Sequence, residues 1–268
     1  MSRLSLRTDA RQTSFFFKAT LPGLLLGCLC AVMWFAPAQW LADGLSQATH
    51  GRMQLRQVRG SVWQGSAQWL LASGTDAKNG LALPQRIRWH LTPQSLLNWQ
   101  LRLQADCCST EPVLLNLQAQ WQALHISLHS PDSTWPASWV SGLGAPWNTI
   151  GLQGQIHIQP SQLHWQWRNN QWQLQGQAQL TLRGMSCDLS TLKPLGSYVL
   201  ELQGGDVPAV KLHTTQGGLQ LEGNGTWQQG QFRFQGQASA QPGFEDVLSN
   251  LLGVLGQREG DKTILHIG

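Results

Sequence analysis

The sequence predicts a mainly β protein, in which one N-terminal transmembrane helix precedes a curved antiparallel β-sheet meander, groove- or sandwich-like, with a few short helices. Three observations carry that prediction. Apolar and polar residues alternate with period two through most of the chain after residue 43. Turn-forming residues break the alternation at short intervals, as hairpins require. An uncharged apolar run covers residues 21–42 behind a basic flank.

That run comes first in the chain. Residues 1–20 hold Arg3, Arg7, Arg11 and Lys18 against Asp9, a balance of +3. The run that follows, at ~1.5 Å per residue, reaches across a hydrocarbon core of ~30 Å. The basic flank places residues 1–20 as a cytoplasmic tail, 21–42 as the transmembrane helix and 43–268 outside the cytoplasm. Trp34 and Trp40 sit near the far end, where amphipathic rings favour the interface. A cleavable signal peptide is the rival: residues 21–35 fit an h-region and Ala36-Pro37-Ala38 a small-x-small site, although Pro37 is poor cleavage chemistry. On either reading the body is exported.

The exported part is long enough for one large domain or two small ones. Alternation marks its strands in order: Leu115 to Trp121, Leu124 to Leu128, Ile150 to Ile158, Leu163 to Trp167, Trp172 to Leu182, Leu219 to Trp227 and Phe232 to Ala238. Each buries one face and wets the other. Pro160-Ser161, Asn169-Asn170, Gly217-Gly218 and Gln228-Gln229-Gly230 read as the turns. Separations this short suit antiparallel pairing, since a parallel crossover needs a dozen or more residues.

A loose repeat, apolar-x-Gly-x-apolar, occurs at Leu152 to Ile156, Leu174 to Ala178 and Phe234 to Ala238, with a variant at Leu221 to Gly225. Mid-strand glycine marks a bulge, a bend or close backbone approach, so glycines at matching places would curl the sheet. Helices are few. Thr92 with Pro93 opens a short helix through Leu97, and Trp135 to Val140 makes another turn. Residues 242–255 form the clearest helix, with Val247, Leu248, Leu251, Leu252 and Leu255 on one face and Gly256 as the stop. A last strand covers residues 262–267.

Charge narrows the partners. Of the formal net charge of +4, the first twenty residues hold +3, which leaves +1 for the rest. Basic residues there are scattered singly, so no nucleic-acid partner is expected. Cys28 and Cys30 fall in the apolar run and act as small apolar residues. Cys107, Cys108 and Cys187 face an oxidising space, where an odd number allows at most one pair among them. The expected bridge joins Cys107 or Cys108 to Cys187, because a bond between adjacent cysteines needs an awkward ring.

The sequence holds no catalytic motif. His125 and His129 lie four apart in a strand and its turn, not on one helix face, and no Glu follows His125. His157 and His164 are placed to face each other across a hairpin, as surface residues short of a metal site's three or four ligands. No G-x-S-x-G, Walker loop or dinucleotide fingerprint occurs, and no enzyme activity, metal or cofactor is expected. Tryptophan is the unusual residue, with 14 copies against a single tyrosine. Most belong in a core; Trp63, Trp165 and Trp167 are the candidates for a groove or interface.

The block Val58-Arg59-Gly60-Ser61-Val62-Trp63-Gln64-Gly65-Ser66-Ala67, then Trp89 to Leu97, Leu192 to Tyr198, Gln216 to Trp227 and Leu251 to Lys262, resembles protein N of the bacterial type II secretion system (GspN, general secretion pathway protein N). The resemblance implies an accessory inner-membrane protein whose periplasmic domain helps export folded proteins across the outer membrane. By the same implication its partners are the platform subunits C, L and M and the secretin, with no enzymatic activity. A second expectation, from the residues alone, is a membrane-anchored β-groove that handles lipid, its apolar face cradling acyl chains.

Overall fold

The computed structural model describes residues 27, 31–32, 34–72, 81–143, 147–168, 171–228 and 231–268. The chain runs α1 (Gln39–Ala48), β1 (Met53–Gly60), β2 (Gln64–Leu71), β3 (Leu81–Pro93), β4 (Asn98–Ala105), β5 (Val113–Gln120), β6 (Ala123–His129) and β7 (Ser133–Pro136). A 3-10 helix (Ala137–Leu143), α2 (Trp147–Ile150), β8 (Gln153–Arg168), β9 (Gln171–Ser186), β10 (Gly196–Gln203) and β11 (Ala209–Gln216) follow. The chain closes with β12 (Leu219–Gln228), β13 (Gln231–Ala240), α3 (Glu245–Leu255), β14 (Gln257–Glu259) and β15 (Lys262–Ile267).

Among the described residues, the fifteen strands join one open antiparallel sheet. Neighbours in sequence are neighbours in the sheet, except that β7 and β6 share the same flank of β8 and β14 lies outside β15. The expected meander is therefore present as one sheet and not as a sandwich of two. Directly paired residues put their side chains on the same face. Leu91 pairs with Leu101, Leu101 with Leu115, Leu115 with Leu128 and Leu128 with Leu163, so a single apolar face crosses these strands.

Strand β8 corrects the reading of Pro160-Ser161 as a turn. Its apolar residues fall at Ile156, Ile158 and Pro160, then change parity to Leu163, Trp165 and Trp167. A bulge between Ser161 and His164, with Gln162 at φ 51°, absorbs the parity change and keeps both halves on one face. Pro160 falls between the stretches paired to β7 and to β6, where its missing N–H breaks no ladder bond to them. Opposite the bulge stands Gly176 at φ 93°, where a Cβ would run into the carbonyl oxygen of Gln162. His157 and His164 thus lie on one strand and do not face each other across a hairpin.

The glycine repeat aligns only in part. Gly223 pairs with Gly236, but Gly154 and Gly176 stand at different levels of β8 and β9. The helix expected from Thr92 is absent, because β3 continues through Pro93, which pairs with Trp99. A tight turn follows, with the Gln94 and Ser95 N–H groups donating to the Asn98 carbonyl at 2.8 and 3.1 Å. The C-terminal helix and last strand stand where the periodicity puts them, and α3 buries Leu248, Leu251 and Leu252.

The core is concentrated toward the two ends of the sheet. Leu83, Ile87, Ala105 and Cys108 pack with Trp69 and Trp139 at the β1–β4 end, beside Ala38, Ala67 and Trp89. Leu195, Leu219 and Ala238 pack under α3 at the other end, next to Met185, Tyr198 and Ala137. Between them, β5 and β6 contain no buried residue. Among the described residues no helix is long and apolar enough to cross a membrane. Of the expected transmembrane helix, residues 21–26, 28–30 and 33 lie outside the described residues. Its last part does not: Ala36, Ala38 and Ala42 are buried in the body, and Pro37 bridges Ser61.

Candidate functional site

Local backbone builds the first part of the site. Gly60, at φ 96°, turns the chain out of β1, and Gly65 lets β2 pass beneath the Trp89 ring. The Trp89 indole N–H donates to the carbonyls of Ser61 and Val62, 3.2 Å from each. With the turn held, Trp63 stacks on Trp99 at 5.5 Å between centroids and 21° between planes. Trp34, Leu91 and Pro93 complete an apolar cleft of about 580 Å³, rimmed by Ser61, Gln64 and His90.

From this cleft a register line of apolar residues leads along the sheet. Pro93 pairs with Trp99, Trp99 with Leu117, Leu117 with Ile126, Ile126 with Trp165 and Trp165 with Leu174. The line crosses β3, β4, β5, β6, β8 and β9, five spacings of ~4.8 Å, or about 24 Å. Trp99, Leu117, Ile126, Trp165 and Leu174 are each only half-buried. The 3-10 helix covers the opposite half of the face, where Trp139 meets Trp69 edge-on at 5.1 Å and stacks on Trp135 at 5.4 Å.

The three tryptophans singled out from sequence fall on this line or beside it. Trp63 is in the cleft; Trp165 lies on the line, and Trp167 one step outward, opposite Trp172. They do not meet in one pocket, because β4, β5 and β6 stand between them. Trp99, Leu117 and Ile126 complete the surface. Their period-two spacing was visible, but only the register aligns them.

The cysteines pair differently from expectation. Cys107 is bonded to Cys108, and Cys187 is free and buried. Cys108 packs with Leu83 and Ile87, whereas Cys187 packs with Leu219 and Leu248 at the other end of the sheet. Folding therefore keeps Cys187 away from both. Among the described residues no group of three or more His, Cys, Asp or Glu is placed to hold a metal ion. His157 contacts Thr134, Oγ1 to Nδ1 at 3.0 Å, and Asp132, Nε2 to Oδ2 at 3.5 Å. One titration stands out. Burial first, and the neighbouring Cys187 second, push the Tyr198 hydroxyl above its usual range, and it donates to the Leu219 carbonyl at 3.2 Å.

One open antiparallel sheet with a few short helices defines a mainly β protein. Residues 51–264, from just before β1 into β15, match the family described as Type II secretion system (T2SS), protein N, and the chain belongs to that family. It is a type II secretion system component. No curated protein and no solved structure matches it.

Proposed function

We propose that the chain is an accessory inner-membrane component of the secretion system, helping to export folded proteins from the periplasm across the outer membrane through protein–protein contacts. Residues 1–20 form a cytoplasmic tail, and the all-β body is periplasmic. The membrane segment ends near Phe35, because Ala36 already packs in the body. The platform subunits and the secretin are the partners that family membership suggests.

The observation that carries the contact surface is the half-buried line from Pro93 to Leu174. Apolar surface left uncovered at this scale marks an interaction site. A photo-crosslinking residue placed at Ile126 or Trp165 in secreting cells tests the reading. Adducts with other secretion subunits are expected, and a chain that yields none at either position overturns it.

The same line favours a second reading. It is wholly apolar, and its ~24 Å length suits an extended acyl chain, so the face would cradle lipid in a groove. Mass spectrometry of organic extracts from the purified chain separates the two readings. Stoichiometric lipid displaces protein contact as the role of this face; its absence, together with subunit adducts, removes the second reading.

A further inference from the structure

In a meander, successive turns alternate between the two rims of the sheet. One rim carries the hairpins β1–β2, β3–β4, β5–β6, β8–β9, β10–β11 and β12–β13. Each presents a large apolar side chain at or beside its turn: Trp63, Leu96, Trp121, Trp172, Val207 and Trp227. Leu96 is 92% exposed and Trp121 98%. Asp206 is the single charged residue in the sequence of these six turns. The connections at the other rim carry Asp106, Glu111, Asp132, Asp188, Glu245 and Asp246. Lys193 stands against Asp188 at 3.9 Å among these acids, so one rim is aromatic with a single charged turn residue and the other is acidic on balance.

The N-terminal apolar run joins the body at the aromatic rim. The Val62 N–H donates to the Ala36 carbonyl at 2.9 Å, and the Ala38 N–H donates to the Gly60 carbonyl at 3.2 Å. Trp34 and Phe35, just before this junction, are 76% and 78% exposed. Tryptophan rings, apolar in body and polar at the N–H, are most stable at a membrane–water interface. An acidic rim is repelled by anionic headgroups, which sets the orientation.

We propose that the aromatic rim, at its β1–β6 end, rests in the interfacial layer of a lipid bilayer, with Trp34, Leu96, Leu97 and Trp121 entering the boundary between headgroups and acyl chains. The contact is confined to that end for a geometric reason. Adjacent strands rotate by roughly 20–25°, so a rim this long cannot stay in one plane, and Trp172, Val207 and Trp227 turn away from the surface. The cleft between Trp34, Trp63 and Trp99 then opens at the membrane, and the apolar line starts there. This inference rests on the membrane-anchored reading above.

Full-length chain reconstituted in vesicles of phosphatidylethanolamine and phosphatidylglycerol tests it, with p-benzoylphenylalanine installed in turn at Leu96, Trp121, Phe35 and Val254. Val254 is exposed on α3, which packs at the end of the sheet away from β1–β6, and serves as the reference. Lipid adducts at Leu96 and Trp121, several-fold above Val254 and comparable to Phe35, are expected. Adducts at Phe35 alone keep the anchor and overturn the seated rim. No lipid adduct at any of the four positions overturns both. Adducts to a second copy of the chain at Leu96 or Trp121, in place of lipid, make the rim a protein interface and overturn the inference.

Discussion

The indole N–H of Trp89 donates to the main-chain carbonyl of Ser61 at 3.2 Å and shares that proton with the Val62 carbonyl. One ring on β3 thereby holds the β1–β2 turn that carries Trp63 and the junction with the N-terminal run. The family-marking residues 58–67 are thus an architectural device, in which Gly60 makes the turn and Gly65 makes room for Trp89.

Replacing Trp89 by Phe keeps most of the buried apolar area and removes the donor. Two carbonyls lose their partner, at a cost of about 1–2 kcal/mol. The urea midpoint should fall, while Trp121→Phe, at a fully wetted tip, should leave it unchanged. Equal midpoints for the two variants would show that the indole proton contributes nothing.

Gly65→Ala should be more damaging. A Cβ there meets the Arg59 carbonyl oxygen at 2.6 Å and runs into the buried Trp89 ring, and neither has room to retreat. A loss of about 2–3 kcal/mol is expected from overpacking. Gly253→Ala, in α3 with nothing within 4 Å of the added carbon, should instead stabilise by about 0.5–1 kcal/mol through helix propensity. Thermal melts of the two variants should move in opposite directions.

Tyr198 is the sole tyrosine, so its alkaline titration belongs to one group. Its folded-state ionisation is raised by burial, then by Cys187, so the native chain keeps the proton that the unfolded chain loses near pH 10. The native state then binds more protons, and stability falls as pH rises above that value, by up to about 1.4 kcal/mol per pH unit. Below the unfolded pKa the contribution is fully present. Stability curves between pH 8 and pH 11 should show this slope, and Tyr198→Phe should reduce it. An unchanged slope in that variant would assign the alkaline loss to other groups.

Polar substitution of the uncovered line should separate stability from function. Ile126→Gln with Leu117→Gln changes half-buried positions, and a cost near 1 kcal/mol is expected from the area involved. Partner or lipid binding should drop far more than the melting temperature does. A large stability loss would mean that the line is core, with no contact role.

Much of the strand content was legible because alternation is a local property. The C-terminal helix and the last strand were legible for the same reason. Thr92 to Leu97 misled, since Pro93 suits the start of a helix and equally the end of an edge-paired strand. Pro160-Ser161 misled through a genuine ambiguity: a turn and a bulge both break the parity of the pattern, and only the partner strand tells them apart. The bridge to Cys187 failed because spacing along the chain carries no information about which end of a long sheet a residue joins.

By itself, the sequence determined which side of its own strand each residue faces, the terminal helix, and the blocks that mark the secretion family. Tertiary structure decided the register that lines up Pro93, Trp99, Leu117, Ile126, Trp165 and Leu174, the rim shared by the aromatic turns, and the half of the apolar face that the 3-10 helix covers. The physical reason is the period of the strand. A one-residue shift between neighbours exchanges the faces, and the bulges that set this shift, at Gln57 and Gln162, are stabilised by partners twenty or more positions away or across a hairpin, such as Arg86 on Gln57 and Gly176 on Gln162.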